Sequence, residues 1–177
     1  MKRIPSTLVA IAAIAIAAST SAAQSTKPVS LGISAGAAIP ISDLGNDYST
    51  GYNGTVSLGF NSYGSPLGFR IDGMYNSLSA QTDVNLPDIK ISSANANLVY
   101  ALPGTGIRPY LIGGGGIYGL KSDVNGSNSI TKFGLNGGVG ASFPLSGFNT
   151  FVEARLHHVF SDRVATQFIP VTFGISF

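Results

Sequence analysis

Through most of this chain apolar side chains recur at every second position, in eight blocks separated by stretches rich in Gly, Pro, Asn, Asp and Ser. Successive strand side chains point to opposite faces, so each block predicts a β-strand with one greasy face and one small or polar face. The clearest block ends the sequence. In Phe168–Phe177 (FIPVTFGISF), Ile169, Val171, Phe173, Ile175 and Phe177 alternate with Pro170, Thr172, Gly174 and Ser176. Upstream, Val29–Ala38 sets Val29, Leu31, Ile33, Ala35 and Ala37 against Ser30, Gly32, Ser34 and Gly36. Tyr52–Asn61 sets Tyr52, Val56, Leu58 and Phe60 against Asn53, Thr55, Ser57 and Gly59. Leu67–Leu78 turns Leu67, Phe69, Ile71 and Tyr75 one way and Arg70, Asp72, Met74 and Asn76 the other. Ile89–Leu102 opposes Ala94, Ala96, Leu98, Tyr100 and Leu102 to Ser93, Asn95 and Asn97. Pro109–Leu120 places Tyr110, Ile112 and Tyr118 on one face and Gly113 and Gly115 on the other; Ile130–Phe143 and Thr150–Phe160 complete the set.

The connections alternate in length. Ile39–Gly51, Ser79–Asp88, Lys121–Ser129 and Ser161–Gln167 are long and polar, whereas Ser62–Pro66, Pro103–Gly106 and Pro144–Asn149 are short turns. Strands of about 9–11 residues suit a tilted crossing of a bilayer. Outer-membrane barrels show this same asymmetry, with long extracellular loops and short periplasmic turns. The expected fold is all-β: an eight-stranded antiparallel up-and-down transmembrane β-barrel, formed by one domain over residues 24–177.

Soluble sandwiches also alternate, so the composition of the non-greasy face has to decide. A face turned to water should be rich in Lys, Glu, Asp and Arg. Here it is mostly Gly, Ser, Asn and Thr, which suit the crowded interior of a narrow barrel. Charged residues make up 10% of the chain, against ~25% in an average soluble protein. Aromatic residues fall near the predicted strand ends, as interfacial girdles would require. Tyr52, Tyr75, Tyr118, Phe133, Phe160 and Phe168 form one girdle, and Phe60, Phe69, Tyr100, Tyr110 and Phe143 the other.

The first residues stand apart. Lys2 and Arg3 precede an apolar run, Leu8–Ala18, and Ser21-Ala22-Ala23 supplies small residues before a cut. This pattern predicts a secretory signal peptide over residues 1–23, with cleavage before Gln24. The run is shorter than the ~20 residues of a spanning helix. Without Lys2 and Arg3, the ten basic residues fall to eight, equal to the eight acidic ones. The basic isoelectric point is therefore largely a property of the leader and gives no support to nucleic-acid binding. The absence of cysteine excludes disulfides, thiol catalysis and thiolate metal sites. Barrel closure, which leaves no unpaired strand edge, takes the place of disulfides as the source of stability.

Alternation, girdles and ending together resemble the small OmpA/OmpX-type outer-membrane β-barrel proteins. The ending VTFGISF is similar to the carboxy-terminal assembly signal of that group, carried here by Phe173, Ile175 and Phe177. The resemblance implies a bacterial outer-membrane location, contact with membrane lipid and lipopolysaccharide, and handling by the outer-membrane assembly machinery. A monomer is expected, with no cofactor.

Two motifs invite chemistry. Gly114–Gly119 (GGGIYG) matches a dinucleotide fingerprint, but that fingerprint needs a following helix to hold the pyrophosphate, and here a strand end and a polar loop follow. Glu153, Arg155, His157, His158 and Ser161 form the one dense polar cluster. An acid, a His and a Ser could make a hydrolytic triad. In the lipid A deacylases, which are also small barrels, the His and Ser stand two apart on one strand. Here His158 and Ser161 are three apart, His157 and Ser161 four, and adjacent histidines point to opposite sides of a strand. No catalytic or metal site is expected.

A lumen charge network is expected instead. Arg70 and Asp72 share the inward face of the third strand, and Glu153, Arg155 and His157 that of the seventh. These strands stand opposite each other in an eight-stranded barrel, whose interior is just wide enough for side chains to fill. Asn95, Asn97 and Asn136 are available to complete the hydrogen bonds. The expected role is structural or interactive at the surface. A conduit for small solutes or hydrophobic compounds is the alternative, and a lipid-modifying enzyme comes third.

Overall fold

In the structure, a computed structural model, the described residues are 28–62, 64–81, 86–104, 106–122, 129–161 and 166–177. The expected leader at 1–23 lies outside them, as do parts of several connections. Eight strands close into one antiparallel barrel in which every strand pairs with its neighbours in sequence and β1 pairs with β8. They are β1 (Val29–Ile41), β2 (Gly51–Asn61), β3 (Leu67–Leu78), β4 (Ile89–Ala101), β5 (Arg108–Ser122), β6 (Ile130–Pro144), β7 (Asn149–Val159) and β8 (Thr166–Ser176). Closure leaves no ladder edge open. Past the end of β8, Phe177 exchanges backbone hydrogen bonds with Leu31 of β1 at 2.8 and 3.2 Å.

The alternation predicts the two faces correctly on seven strands. Leu31, Ile33, Val56, Leu58, Leu98, Leu135, Val139 and Phe173 all project outward and are exposed. A continuous apolar exterior of this extent marks a lipid-facing wall. On β5 the expected apolar face is inverted: Tyr110, Ile112 and Tyr118 are buried in the lumen, while Leu111 and Ile117 face outward. The Gly113–Gly116 run interrupts the alternation, and both parities of the strand carry large apolar residues, so hydropathy alone does not choose. Phe168 is also inside rather than in a girdle, because it shares its parity with inward Pro170 and Thr172. The remaining girdle residues do sit outside, with the Tyr52–Tyr75 rings 6.3 Å apart and the Phe60–Phe69 rings 6.2 Å apart.

The segment expected as the first long loop is partly ordered. β1 runs three residues further than the alternation indicates, and Ser42–Asp47 forms a short helix, α1. Ser42 makes the turn at φ 54°, a left-handed conformation unusual for a residue with a Cβ. Its hydroxyl donates to Gln167 Oε1 at 2.8 Å. Gln81 Nε2 reaches Gly45 O at 3.0 Å, which ties α1 to the β3–β4 connection. These contacts fold α1 over the barrel mouth and press Leu44, 8% exposed, into it. Beneath it Ala38, Met74, Leu78, Ile91, Tyr118, Val159 and Phe168 form one apolar cluster. This stopper fills the lumen at the end holding α1, called the loop end below. The other end, where β2 leads to β3, β4 to β5 and β6 to β7, is the turn end.

Candidate functional site: the charge cluster in the lumen

Below the stopper the lumen turns polar. Arg70 and Asp72 are two apart on β3, and Glu153 and Arg155 two apart on β7, so each pair shares one face. With eight strands in sequence order, β3 and β7 face each other across the barrel. The four groups close a ring of alternating sign. Arg70 Nε lies 2.9 Å from Asp72 Oδ1, and its Nη2 lies 2.8 Å from Glu153 Oε1. Arg155 Nη1 lies 2.7 Å from Asp72 Oδ2, and its Nε lies 2.9 Å from Glu153 Oε1. Two positive and two negative groups leave the ring neutral. Neutral hydrogen bonds complete it: Asn97 Nδ2 donates to Asp72 Oδ2 at 2.9 Å and Tyr110 Oη to Glu153 Oε2 at 2.7 Å. Such pairing is what makes buried charge tolerable, since an isolated ion in a dry interior is very costly.

Four of the five residues expected in the network therefore meet. His157 does not join the ion pairs. Its ring is fully buried, with Nδ1 2.8 Å from Tyr118 Oη, and it stacks on Phe168 with centroids 5.0 Å apart. Both partners belong to the stopper. Of the three asparagines, only Asn97 reaches the ring. Asn95 Nδ2 donates to Ser93 Oγ at 2.9 Å, and neither polar atom of Asn136 has a partner among the described residues.

Tyr110, Ile112, Tyr118 and Phe168 are the residues that alternation misplaced, and a signal for the tyrosines was present. Large side chains enter a narrow lumen where an adjacent strand offers glycine. A Cβ at Gly140 would collide with the Tyr110 ring, and one at Gly134 with the Tyr118 ring. Both glycines face inward on β6.

The arrangement suits packing better than chemistry. Both carboxylates are neutralised by arginine. Among the described residues no three His, Asp or Glu groups converge as metal ligands. His157 Nδ1 lies against Tyr118 Oη, and outward-facing His158 has Nδ1 2.8 Å from Gln167 Nε2; among the described residues neither contact is with a serine. Gly114–Gly119 lies wholly within β5, and the next described element is β6. An open groove at the turn-end rim, lined by Phe60, Asn61, Ser62, Leu67, Gly68, Phe69 and Leu98, carries no titratable group.

The residues expected to carry an assembly signal lie apart from the ring. Phe173 is exposed on the outer wall, Ile175 is half-buried beside Ile33 in the β1–β8 register, and Phe177 sits at the turn-end rim with its ring 6.3 Å from that of Phe148.

Solved structures share the architecture. Neisserial surface protein A matches at 20% identity and a TM-score of 0.70, over 85% of this chain and 96% of that one. The attachment invasion locus protein Ail of Yersinia pestis matches at 20% identity and a TM-score of 0.52, over 84% of this chain and 97% of that one. The outer membrane enzyme PagL matches at 16% identity and a TM-score of 0.51, over 84% and 98%. No curated protein sequence matches the chain. The sequence signature of the outer membrane protein β-barrel domain extends over residues 8–177. With that match spanning a closed barrel whose outer wall is apolar and whose lumen is polar, the chain belongs to the outer membrane protein β-barrel domain family.

Proposed function

We propose that this protein is a closed barrel of the bacterial outer membrane, acting as a structural and surface-interacting element and not as a conduit or a catalyst. The observation that carries the reading is the double obstruction of the lumen. The charge ring spans it between β3 and β7, and the apolar stopper with Leu44 fills its loop end. The fold itself does not choose a role: similar barrels include a surface protein, an attachment protein and an enzyme. Against catalysis stands the pairing of both His rings with residues other than serine. In this reading residues 1–23 direct export, the loop end faces outward and the working partners meet the connections there. The chain works as a monomer without a cofactor. Reconstituted in planar bilayers, the protein is expected to show no steady single-channel current. Sustained ohmic conductance would overturn the closed-barrel reading and favour the conduit.

The carboxy-terminal strand has a role in assembly in the same proposal, through Phe173, Ile175 and Phe177. Phe177 is about half exposed at the rim, so its removal forfeits little burial in the finished barrel. Deleting it is expected to reduce the amount reaching the membrane severalfold, with near-normal melting after refolding in detergent. Unchanged membrane levels would remove Phe177 from the signal.

A further inference from the structure

One side of the lumen leaves buried polar atoms without partners. On β4, Asn95 and Asn97 each donate through Nδ2, to Ser93 Oγ and Asp72 Oδ2, but neither Oδ1 accepts from a described residue. Both polar atoms of Asn136 on β6 are in the same position, and so is His157 Nε2 on β7. All four side chains are more than nine-tenths buried, Asn136 being the most exposed at 7%. A buried polar group with no partner is costly and rare in a folded protein. Across the barrel the same residue type behaves differently. Buried Asn53 donates to Asn76 Oδ1 at 2.7 Å and accepts from Thr55 Oγ1 at 3.1 Å. The unpaired atoms therefore belong to one place and not to the lumen in general.

Register gathers them. Asn97, Gly114, Asn136 and His157 are successive partners across β4, β5, β6 and β7. They form one row, with neighbouring strands about 4.8 Å apart. Gly114 brings no side chain to the row, and Asn97 Oδ1 leans over it toward Asn136: a Cβ on Gly114 would collide with that oxygen. Asn95 Oδ1 stands in the same relation to Gly116, one inward position nearer the loop end. The amides of Asn97 and Asn136 face each other across the glycine without bonding directly. A bridging water suits polar groups held just beyond hydrogen-bond reach.

We infer that Asn95, Asn97, Asn136 and His157 enclose a site for long-lived water over Gly114 and Gly116, and that this water couples the charge ring to the stopper. Asn97 holds Asp72 of the ring through Nδ2, and His157 lies against Tyr118 Oη of the stopper, so water between them spans the two. The unpaired atoms, at roughly three hydrogen bonds for each buried water, call for about two waters. Amide donor and amide acceptors stand side by side there, which matches water's own mixture of donors and acceptors. A cation fits less well. The ring is already neutral, and Arg155, two residues from His157 on the same face, would repel added positive charge.

The test uses the folded barrel in deuterated detergent, with the side-chain amide protons of its asparagines assigned by NMR. The Nδ2 protons of Asn136 should show cross-peaks to water whose sign in rotating-frame spectra marks long-lived contact and not proton exchange. Those of Asn53, which is paired directly, should show none. Asn136→Leu should remove about two long-lived waters from the water relaxation dispersion of the barrel. Absence of water cross-peaks at Asn136 would overturn the site, and so would an unchanged water count in the folded variant. Equal cross-peaks at Asn53 and Asn136 would overturn it as well, since the whole lumen would then be wet. Melting that rises with sodium or potassium at constant ionic strength, in the wild type and not in Asn136→Leu, would replace water with a cation as the occupant. The wild-type cross-peaks decide the matter even where Asn136→Leu fails to fold.

Discussion

Replacing Glu153 with Gln is expected to destabilise the folded barrel by about 3–5 kcal/mol, the usual consequence of removing one partner from a buried ion pair. Glu153 Oε1 lies within 2.9 Å of both arginines, so its loss leaves Arg70 and Arg155 facing the single carboxylate of Asp72. The stopper closes the loop end above the surplus positive charge, and Arg155 and Asp72 are only 4% and 0% exposed. Gln preserves the shape and can still accept from Tyr110, so the effect isolates the charge. Arg70→Gln should give a loss of similar size for the mirror-image reason, leaving two carboxylates on Arg155. In the double variant the Arg155–Asp72 pair survives at 2.7 Å and neutrality returns. The double loss should therefore fall well short of the sum of the single losses, by about 1–3 kcal/mol. Urea unfolding in phospholipid vesicles, followed by far-ultraviolet circular dichroism, measures all three. Small, additive losses would mean that the ring is wet and solvent-screened.

Gly140→Val is expected to cost about 3–5 kcal/mol, combining overpacking with the loss of a hydrogen bond to a charged group. A Cβ there would collide with the ring of Tyr110. Tyr110 is itself enclosed and donates to Glu153 Oε2 at 2.7 Å, so it cannot swing aside without releasing the carboxylate. Tyr110→Phe separates the two effects, since it removes the hydroxyl while keeping the ring. Gly137→Val is the control. Gly137 lies three positions earlier on the same strand but faces lipid, and an added Cβ would meet only Ile112 O, at 3.9 Å. Its effect should stay within about 0.5 kcal/mol. Equal losses at Gly137 and Gly140 would indicate a general intolerance of β6 to side chains and not a specific seat for Tyr110.

Much of this barrel is legible in one dimension because strand geometry maps sequence parity directly onto inside and outside. Seven strands alternate cleanly enough for that rule to assign their faces. The charge ring was legible for the same reason: Arg70 with Asp72 and Glu153 with Arg155 are spaced by two, on strands that closure sets opposite each other. An assembly role for Phe173, Ile175 and Phe177 is suggested only by resemblance, since their parity says that they face outward and nothing about their use.

Parity fails where both faces carry similar residues. On β5, Leu111 and Ile117 compete with Tyr110, Ile112 and Tyr118, and four glycines between them carry no vote. The choice was made across the ladder, where inward Gly134 and Gly140 on β6 leave room for the two tyrosine rings. Phe168 went inside because β8 must keep Thr172 and Gly174 in the lumen, and His157 offers its ring as a stacking partner. The stopper was decided further still from local sequence. Leu44 belongs to a six-residue helix with no side-chain cap, too short to be stable by its own propensity. It is held by Gln81 from the β3–β4 connection and Ser42 bonded to Gln167 of β8. The sequence by itself determined which residues face lipid, apart from those of β5 and Phe168. The tertiary structure decided how the lumen is filled, because that depends on volumes and hydrogen-bond partners supplied by strands distant in the chain.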